Sequence, residues 1–262
     1  VLAVGDNKQV SPSQVGLSDE RIRSLKTMLP NSKTVSTAEQ LLPEHSFFDL
    51  FKTSFPKSCA LLKEHYRSVP EIIAISNELF YLSKLEPLRL SGGSNAVKDI
   101  YLKEGKADKN GDQTEAERIV KMALDKVEAS VKEETYQTIG IICLTQEQCK
   151  LMKKTLYDSD RIESLIQNHG AEVVDRHKIF IGTAKEFQGH ERCVVYLSLV
   201  HSPKIGKGKE GKLLKLPIEQ GDSWKSWNVA LTRARDEMIL CRSYRIKDLH
   251  ISDIRQQILR RI

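Results

Sequence analysis

The residues of this sequence best suited to chemistry are Gln9 in GDNKQVSP (5–12), Arg67 in HYRSVPEII (65–73), and Arg233 and Arg235 in WNVALTRAR (227–235). A guanidinium is always charged and presents a planar fork of donors that matches two phosphate oxygens at once. Transfer of a γ-phosphoryl group to water is chiefly positioning and charge stabilisation. It needs a P-loop, Mg2+, a residue that orients water, and arginines over the developing charge. Gln9, Arg67 and Arg233 suit the last two tasks. The first two have no residues here, because GxxxxGK[ST] occurs nowhere. Gly206-Lys207-Gly208-Lys209 is too short and lacks a strand–loop–helix setting, and Gly92-Gly93 is followed by no Lys-Ser/Thr. The chain alone is therefore expected not to hydrolyse ATP, and no metal site is expected among its residues.

These residues must be positioned by a sheet edge, and the stretch 179–235 predicts one. Lys178–Thr183 reads as a strand, Phe187-Gln188-Gly189-His190-Glu191 as a turn, and the apolar run Cys193–Leu199 as a strand buried on both faces. WNVALTRAR reads as a helix with Arg233 and Arg235 near its C-terminal end, followed by a strand Met238–Cys241. Upstream, Val1–Gly5 reads as a short buried strand, residues 18–29 as a charged helix (Ile22, Leu25, Met28), and 30–45 as a loop. Ser46–Phe55 reads as a helix with Phe47, Phe48, Leu50 and Phe51 inward. Ala60–Leu62 is strand-like, and Pro70 opens a helix Glu71–Tyr81 where its missing N–H costs nothing.

Strand-like Val97–Leu102 leads to a polar linker, Lys106–Gln113. Thr114-Glu115-Ala116-Glu117 has the form of a capping box opening a helix with Ile119, Val120, Ala123, Leu124 and Val127 on one stripe. Ile139–Leu144 reads as a strand, Thr145 as the cap of a helix Gln146–Tyr157, and the tail as a helix with Ile254, Ile258 and Leu259 inward. The alternation predicts βαβ units and a mostly parallel sheet covered on both faces. Lys204, Lys207, Lys209, Lys212 and Lys215 punctuate an insert that is either a solvated loop or a patch tracking a nucleic-acid backbone.

At 262 residues, 40% hydrophobic and 29% charged, the chain has ample core for one large or two smaller soluble domains. A net charge of +6 and pI of 8.9 lean toward a polyanionic partner without requiring one. No apolar run reaches the roughly 20 residues that span a bilayer, and no secretory segment opens the chain, so no membrane partner and a cytoplasmic location are expected. Five scattered cysteines (Cys59, Cys143, Cys149, Cys193, Cys241) read as reduced core residues. The first residue is Val and already reads as strand, as in a piece of a longer protein.

GDNKQVSP, HYRSVPEII, FQGHE (187–191) and NVALTRAR (228–235), in that order, resemble motifs III, IV, V and VI of superfamily-1 helicases, in the branch that writes motif V as QGxE. That branch includes the nonsense-mediated-decay helicases and bacterial relatives. SVPEIIAISNELFY and RARDEMILCRSYRIKDLH look like large bacterial helicases, so the resemblance covers essentially the whole chain.

The resemblance implies an α/β fold of RecA-like P-loop NTPase type, with ATP and Mg2+ bound between two such domains. Residues 1–56 would be the tail of the first domain and 57–262 the second, with the P-loop and Mg2+ ligands upstream of Val1. Gln9 would sense the γ-phosphate, with Gly5 and Asp6 on the nucleotide side and Asp6 mainly supporting the loop. Arg67 and Arg233 would reach across the cleft, and Tyr66 would stack near adenine. Gly189 would let backbone approach the nucleotide, Glu191 would contact ribose or pair with an arginine, and Arg235 would contact nucleotide or make a structural ion pair. Thr183, with Lys185 and Gln188, would touch the nucleic-acid backbone.

The implied partners are the missing first RecA-like domain and single-stranded nucleic acid, DNA ahead of RNA. Departures from the family pattern are Val10-Ser11 for Leu-Pro, Ala184-Lys185 for Val-Asp or Val-His, and Lys225-Ser226-Trp227 before motif VI. Two alternatives stand beside this one. A non-enzymatic nucleic-acid-binding module would have no reason to keep Gln9, Arg67 and Arg233. A nuclease using Asp222 or the acidic residues around 112–117, alone or within a helicase–nuclease, lacks the carboxylate-and-lysine spacing such sites need.

Overall fold

The computed structural model describes residues 2–10, 18, 20, 21, 24, 28, 46–200 and 222–262. It forms two compact units, Val1–Leu62 and Lys63–Ile262. The lysine-rich insert, Ser11, the loop 30–45 and most of the helix expected over 18–29, including Ile22 and Leu25, lie outside the described residues.

In the first unit, helix α1 (Phe47–Ser54) starts at a capping box: Asp49 N–H donates to Ser46 Oγ at 3.2 Å and Ser46 N–H donates back to Asp49 Oδ2 at 2.9 Å. Phe47, expected inward, faces out at 61% exposure, while Phe48, Leu50 and Phe51 are half-buried. Residues 2–6 form no strand, and Leu2 and Val4 are exposed. Their apolar alternation suits a strand, but no described strand pairs with them, and an unpaired segment gains no ladder.

The second unit is built on a five-stranded sheet, parallel at every pairing. Its strands are β3 (Val97–Tyr101), β6 (Ile139–Cys143), β7 (Phe180–Thr183), β8 (Arg192–Ser198) and β9 (Ala234–Arg242), in the order β3-β9-β8-β6-β7. Parallel pairing requires helical crossovers, and these cover both faces. On one face, α3 (Gln113–Glu133) and α4 (Gln146–Tyr157) enclose Ile139, Ile141, Val194, Tyr196 and Ile239, helped by Leu165 and Val173 from α5 (Asp160–His169) and α6 (Ala171–Arg176). Alternate strand residues such as Ile142, Val195, Leu197 and Leu240 point the other way and are equally buried. There α2 (Pro70–Phe80) packs against β9 and α7 (Asp222–Leu231). This is the mostly parallel α/β architecture with helices on both faces that the RecA-like resemblance implies. Two short strands, β1 (Glu64–His65) and β2 (Glu86–Pro87), pair parallel beside it, and α8 (Ile254–Leu259) closes the chain with Ile254, Ile258 and Leu259 buried as expected.

Several local expectations are corrected. The cap of α3 is Asp112, whose Oδ1 accepts Glu115 N–H at 3.0 Å; the helix starts before Thr114 and buries Glu115. The linker before it folds into an antiparallel hairpin, β4 (Ala107–Asp108) with β5 (Gly111–Asp112), turning through Lys109-Asn110 with Gly111 at φ +120. Ala60–Leu62 forms no strand, and Leu62 is exposed. α7 ends at Leu231, so Arg233 lies in a turn and Arg235 is already in β9. Of the cysteines, Cys143, Cys149 and Cys241 are buried, Cys193 partly, and Cys59 is exposed. No helix among the described residues is long and apolar enough to cross a membrane.

Candidate functional site

Motif residues far apart in sequence converge at the amino-terminal ends of β8 and β9. The chain leaves β7 at Thr183, makes one helical turn (Phe187 N–H to Thr183 O, 3.0 Å) and returns to the amino-terminal end of the strands to enter the central strand β8 at Arg192. Phe187 anchors this crossover: it is fully buried, packs on Phe180 at 4.7 Å between ring centroids, and fills the space left by Gly140, where a Cβ would come within 2.9 Å of its ring. Gly189 has φ +86, a conformation that suits glycine, in the turn that leads to Glu191 at the amino-terminal end of β8.

Glu191 lies between two arginines. Arg67 Nε donates to Glu191 Oε2 at 2.7 Å, and Arg235 Nη1 is 3.7 Å from Oε1. With Glu64, His65 and Tyr66 these side chains line an open cleft of about 440 Å³. The Arg67 hydrogen bond first, then the charges of Arg67, Arg235 and Arg233, hold the Glu191 carboxyl below its ordinary range. His65 accepts Ser68 N–H on Nε2 at 3.0 Å. Burial first, then Arg67 and Arg233, push its pKa down to about 4, so the ring stays neutral near pH 7. Tyr66 is exposed and donates its hydroxyl to Glu64 Oε2 at 2.5 Å, which raises the phenol's pKa.

Arg233 does not line that cleft. It is 2% exposed, with Nε donating to Val229 O at 3.0 Å and Nη2 to Thr232 Oγ1 at 2.8 Å, and its charge still acts on His65 and Glu191. The preceding helix is pinned to α2 by Asn228, which accepts from Ser76 Oγ and donates to Tyr81 at 2.9 Å.

Thr183 sits at the carboxyl end of β7, at the opposite end of the parallel strands from the arginine cleft. It is the N-cap of the crossover turn: Thr183 Oγ1 donates to Glu186 Oε2 at 2.8 Å, and its N–H donates to the same oxygen at 2.7 Å. Lys185 and Gln188 are exposed on that turn. Gly5, Asp6 and Gln9 belong to the first unit. There Asp6 holds the loop, with Oδ1 accepting Lys8 N–H at 2.9 Å and Oδ2 accepting Gln9 Nε2 at 2.9 Å. A Cβ on Gly5 would come within 2.6 Å of Phe48.

Two of the acidic residues weighed as nuclease ligands, Asp112 and Glu115, are sealed from substrate. Glu115 is fully buried, accepting from Ser198 Oγ at 2.8 Å, Val200 N–H at 3.0 Å and Ser243 Oγ at 3.1 Å; burial raises its pKa to about 7. Asp112 is likewise buried, and Glu117 is exposed, accepting from Gln113 Nε2. Asp222 is described only as the first residue of α7. Among the described residues, no group of three or more His, Cys, Asp or Glu could hold a metal ion. Residues not singled out from sequence are Glu64, His65 and Arg89. His65 adjoins Arg67 and was legible as a neighbour, whereas Arg89 carries no signal.

The family profile described as "AAA domain" matches residues 43–244. The chain is 25% identical over 231 residues to the helicase mov-10-B.1 of Danio rerio, a match covering 79% of this chain and 22% of that protein. The chain thus spans about a fifth of that relative's length. Among solved structures it is similar to the C-terminal domain of a possible DNA helicase from Lactobacillus plantarum, at 15% identity and a TM-score of 0.37, over 68% of this chain and 87% of that one. The chain belongs to the AAA domain family, whose profile covers most of its length.

Proposed function

We propose that this chain is the arginine-donating part of an ATP-dependent nucleic-acid helicase or translocase. One observation carries the reading: Arg67 and Arg235, far apart in sequence, share Glu191 in an open cleft, and the Arg233 charge also acts on that carboxylate. Glu64, the other carboxylate of the lining, is taken up by the Tyr66 hydroxyl, so the cleft suits an anion that can take over Glu191's place on Arg67.

In this reading Arg67 donates to the charge that develops on the transferring γ-phosphoryl group, the buried Arg233 adds its charge at a distance, and Gln9, Gly5 and Asp6 form the γ-phosphate-sensing loop. Tyr66 lies along the base, Gly189 and Glu191 border the nucleotide, and Arg235 keeps Glu191 in register. The residues 1–56 close a first RecA-like domain, and 57–262 form the second. The P-loop and the Mg2+ ligands belong to that first domain, and Mg2+ would neutralise phosphate charge there. Thr183, Lys185 and Gln188 form a separate nucleic-acid contact at the carboxyl end of the strands, with single-stranded DNA favoured over RNA and a cytoplasmic setting.

The test is ATP hydrolysis by a longer protein that carries the P-loop domain, beside this chain alone, with and without single-stranded DNA or RNA. The expected result is turnover by the longer protein only, stimulated by one nucleic acid. A silent longer protein that still binds nucleic acid would favour the non-enzymatic binding module.

A further inference from the structure

We propose that Arg89 is a positioning residue that locks the Arg67 segment to the Arg235 strand and so fixes the geometry of the cleft. This rests on the reading of that cleft as an ATP site. Arg89 Nη1 donates to Arg67 O at 2.9 Å and to Arg235 O at 2.9 Å, and Nη2 donates to Asp236 Oδ1 at 2.7 Å. One guanidinium therefore holds the main chain of both arginines that contact Glu191. The same seam is closed by Val69 N–H to Arg235 O at 3.0 Å and Ser68 Oγ to Ala234 O at 2.7 Å.

The local pattern singles this residue out. Leu88 and Leu90 are exposed, at 51% and 91%, while the arginine between them turns inward. A bend that turns its charge in and its leucines out sacrifices apolar burial, which the Arg89 fork offsets with three hydrogen bonds. A planar guanidinium can span two carbonyls and a carboxylate, whereas a lysine ammonium lacks that fixed fork. Charge stabilisation of a transferring phosphoryl group depends on donor placement, where an error of about 1 Å can cost on the order of 10²-fold in rate.

Two measurements test this. The first is hydrogen exchange on this chain, comparing wild type with Arg89→Ala. The Val69 amide is expected to exchange about 10-fold faster in the variant, with Ile141 and Val195 in the central strands unchanged. Unchanged protection at Val69 would overturn the locking role. The second is steady-state hydrolysis by the longer protein carrying Arg89→Ala, Arg89→Lys or Arg67→Ala, with nucleotide affinity measured alongside. Arg89→Ala is expected to lower kcat by about 10²-fold with affinity nearly unchanged, and Arg89→Lys to fall between it and wild type. If Arg67→Ala abolishes turnover while Arg89→Ala leaves kcat intact, the positioning role is wrong. If Arg67→Ala itself has no effect, the ATP-site reading fails, and the positioning role fails with it whatever the exchange result.

Discussion

Glu191 Oε2 accepts from Arg67 Nε at 2.7 Å across 124 residues of sequence. This contact joins the motif that follows β1 to the crossover that precedes β8. Its surroundings are partly open, with Arg67 and Glu191 side chains 32% and 43% exposed, so the pair contributes geometry more than stability.

Glu191→Gln is therefore expected to cost at most about 1 kcal/mol in urea unfolding at neutral pH. The folded carboxyl is held below its unfolded value by Arg67, so its contribution is present above about pH 4.3 and lost as pH falls through the lowered folded value. The wild-type advantage over the glutamine variant should shrink on acidification below that point. An advantage that grows in acid would contradict the assignment.

Glu115 behaves oppositely. Burial raises its pKa to about 7, so the folded state binds this proton more tightly than the unfolded chain. Its linkage lowers stability as pH rises from about 4.3 to about 7, by on the order of 3 kcal/mol at 1.36 kcal/mol per unit. Glu115→Gln keeps an oxygen for Val200 N–H and Ser198, and the Ser243 hydroxyl can reverse to accept from the new amide. That variant should flatten the stability profile in this window and be more stable than wild type at pH 8. A loss of stability at pH 8 would show that the charged network stabilises the fold.

Gly189→Ala introduces a methyl group with nothing within 4 Å, so its cost is backbone strain alone at φ +86. About 1–2 kcal/mol is expected from thermal unfolding. In the longer protein, turnover should fall as well, because Glu191 lies two residues on. Wild-type stability would mean that the turn relaxes freely.

Much of the fold was legible because local signals agreed with the final packing. Thr145 ahead of an amphipathic run gave α4 at its observed bounds, and the apolar runs 139–144 and 193–199 gave two of the buried parallel strands. The misplacements arose where two signals competed. Thr114 has the form of a cap, yet Asp112, two residues earlier, captures Glu115 N–H because the β4–β5 hairpin presents it there. The Asn110-Gly111 pair was a hairpin signal hidden inside a polar stretch. Arg235 continued a helical pattern in sequence, but strand pairing with β8 begins at Ala234 and draws it into the sheet. Helices α5 and α6 went unread, although Ile162, Leu165 and Val173 mark their inward sides around Gly170.

For the site, the motifs marked Tyr66, Arg67, Glu191 and Arg235, which converge, but gave no hint that Arg233 is buried or that Thr183 lies at the other end of the parallel strands. Arg89 was illegible because its partners lie 22, 146 and 147 residues away.

The most direct test of the central claim is the turnover number of Arg67→Ala in the protein that carries the P-loop domain, measured at saturating ATP and single-stranded nucleic acid. Arg67 lines the cleft and is partly exposed, so removing it should leave the fold intact. The account predicts a fall in kcat of about 10³-fold, the range for loss of an arginine donated to a transferring phosphoryl group, with nucleotide still bound. Turnover within a few-fold of wild type would contradict it and return the cleft to a purely structural role.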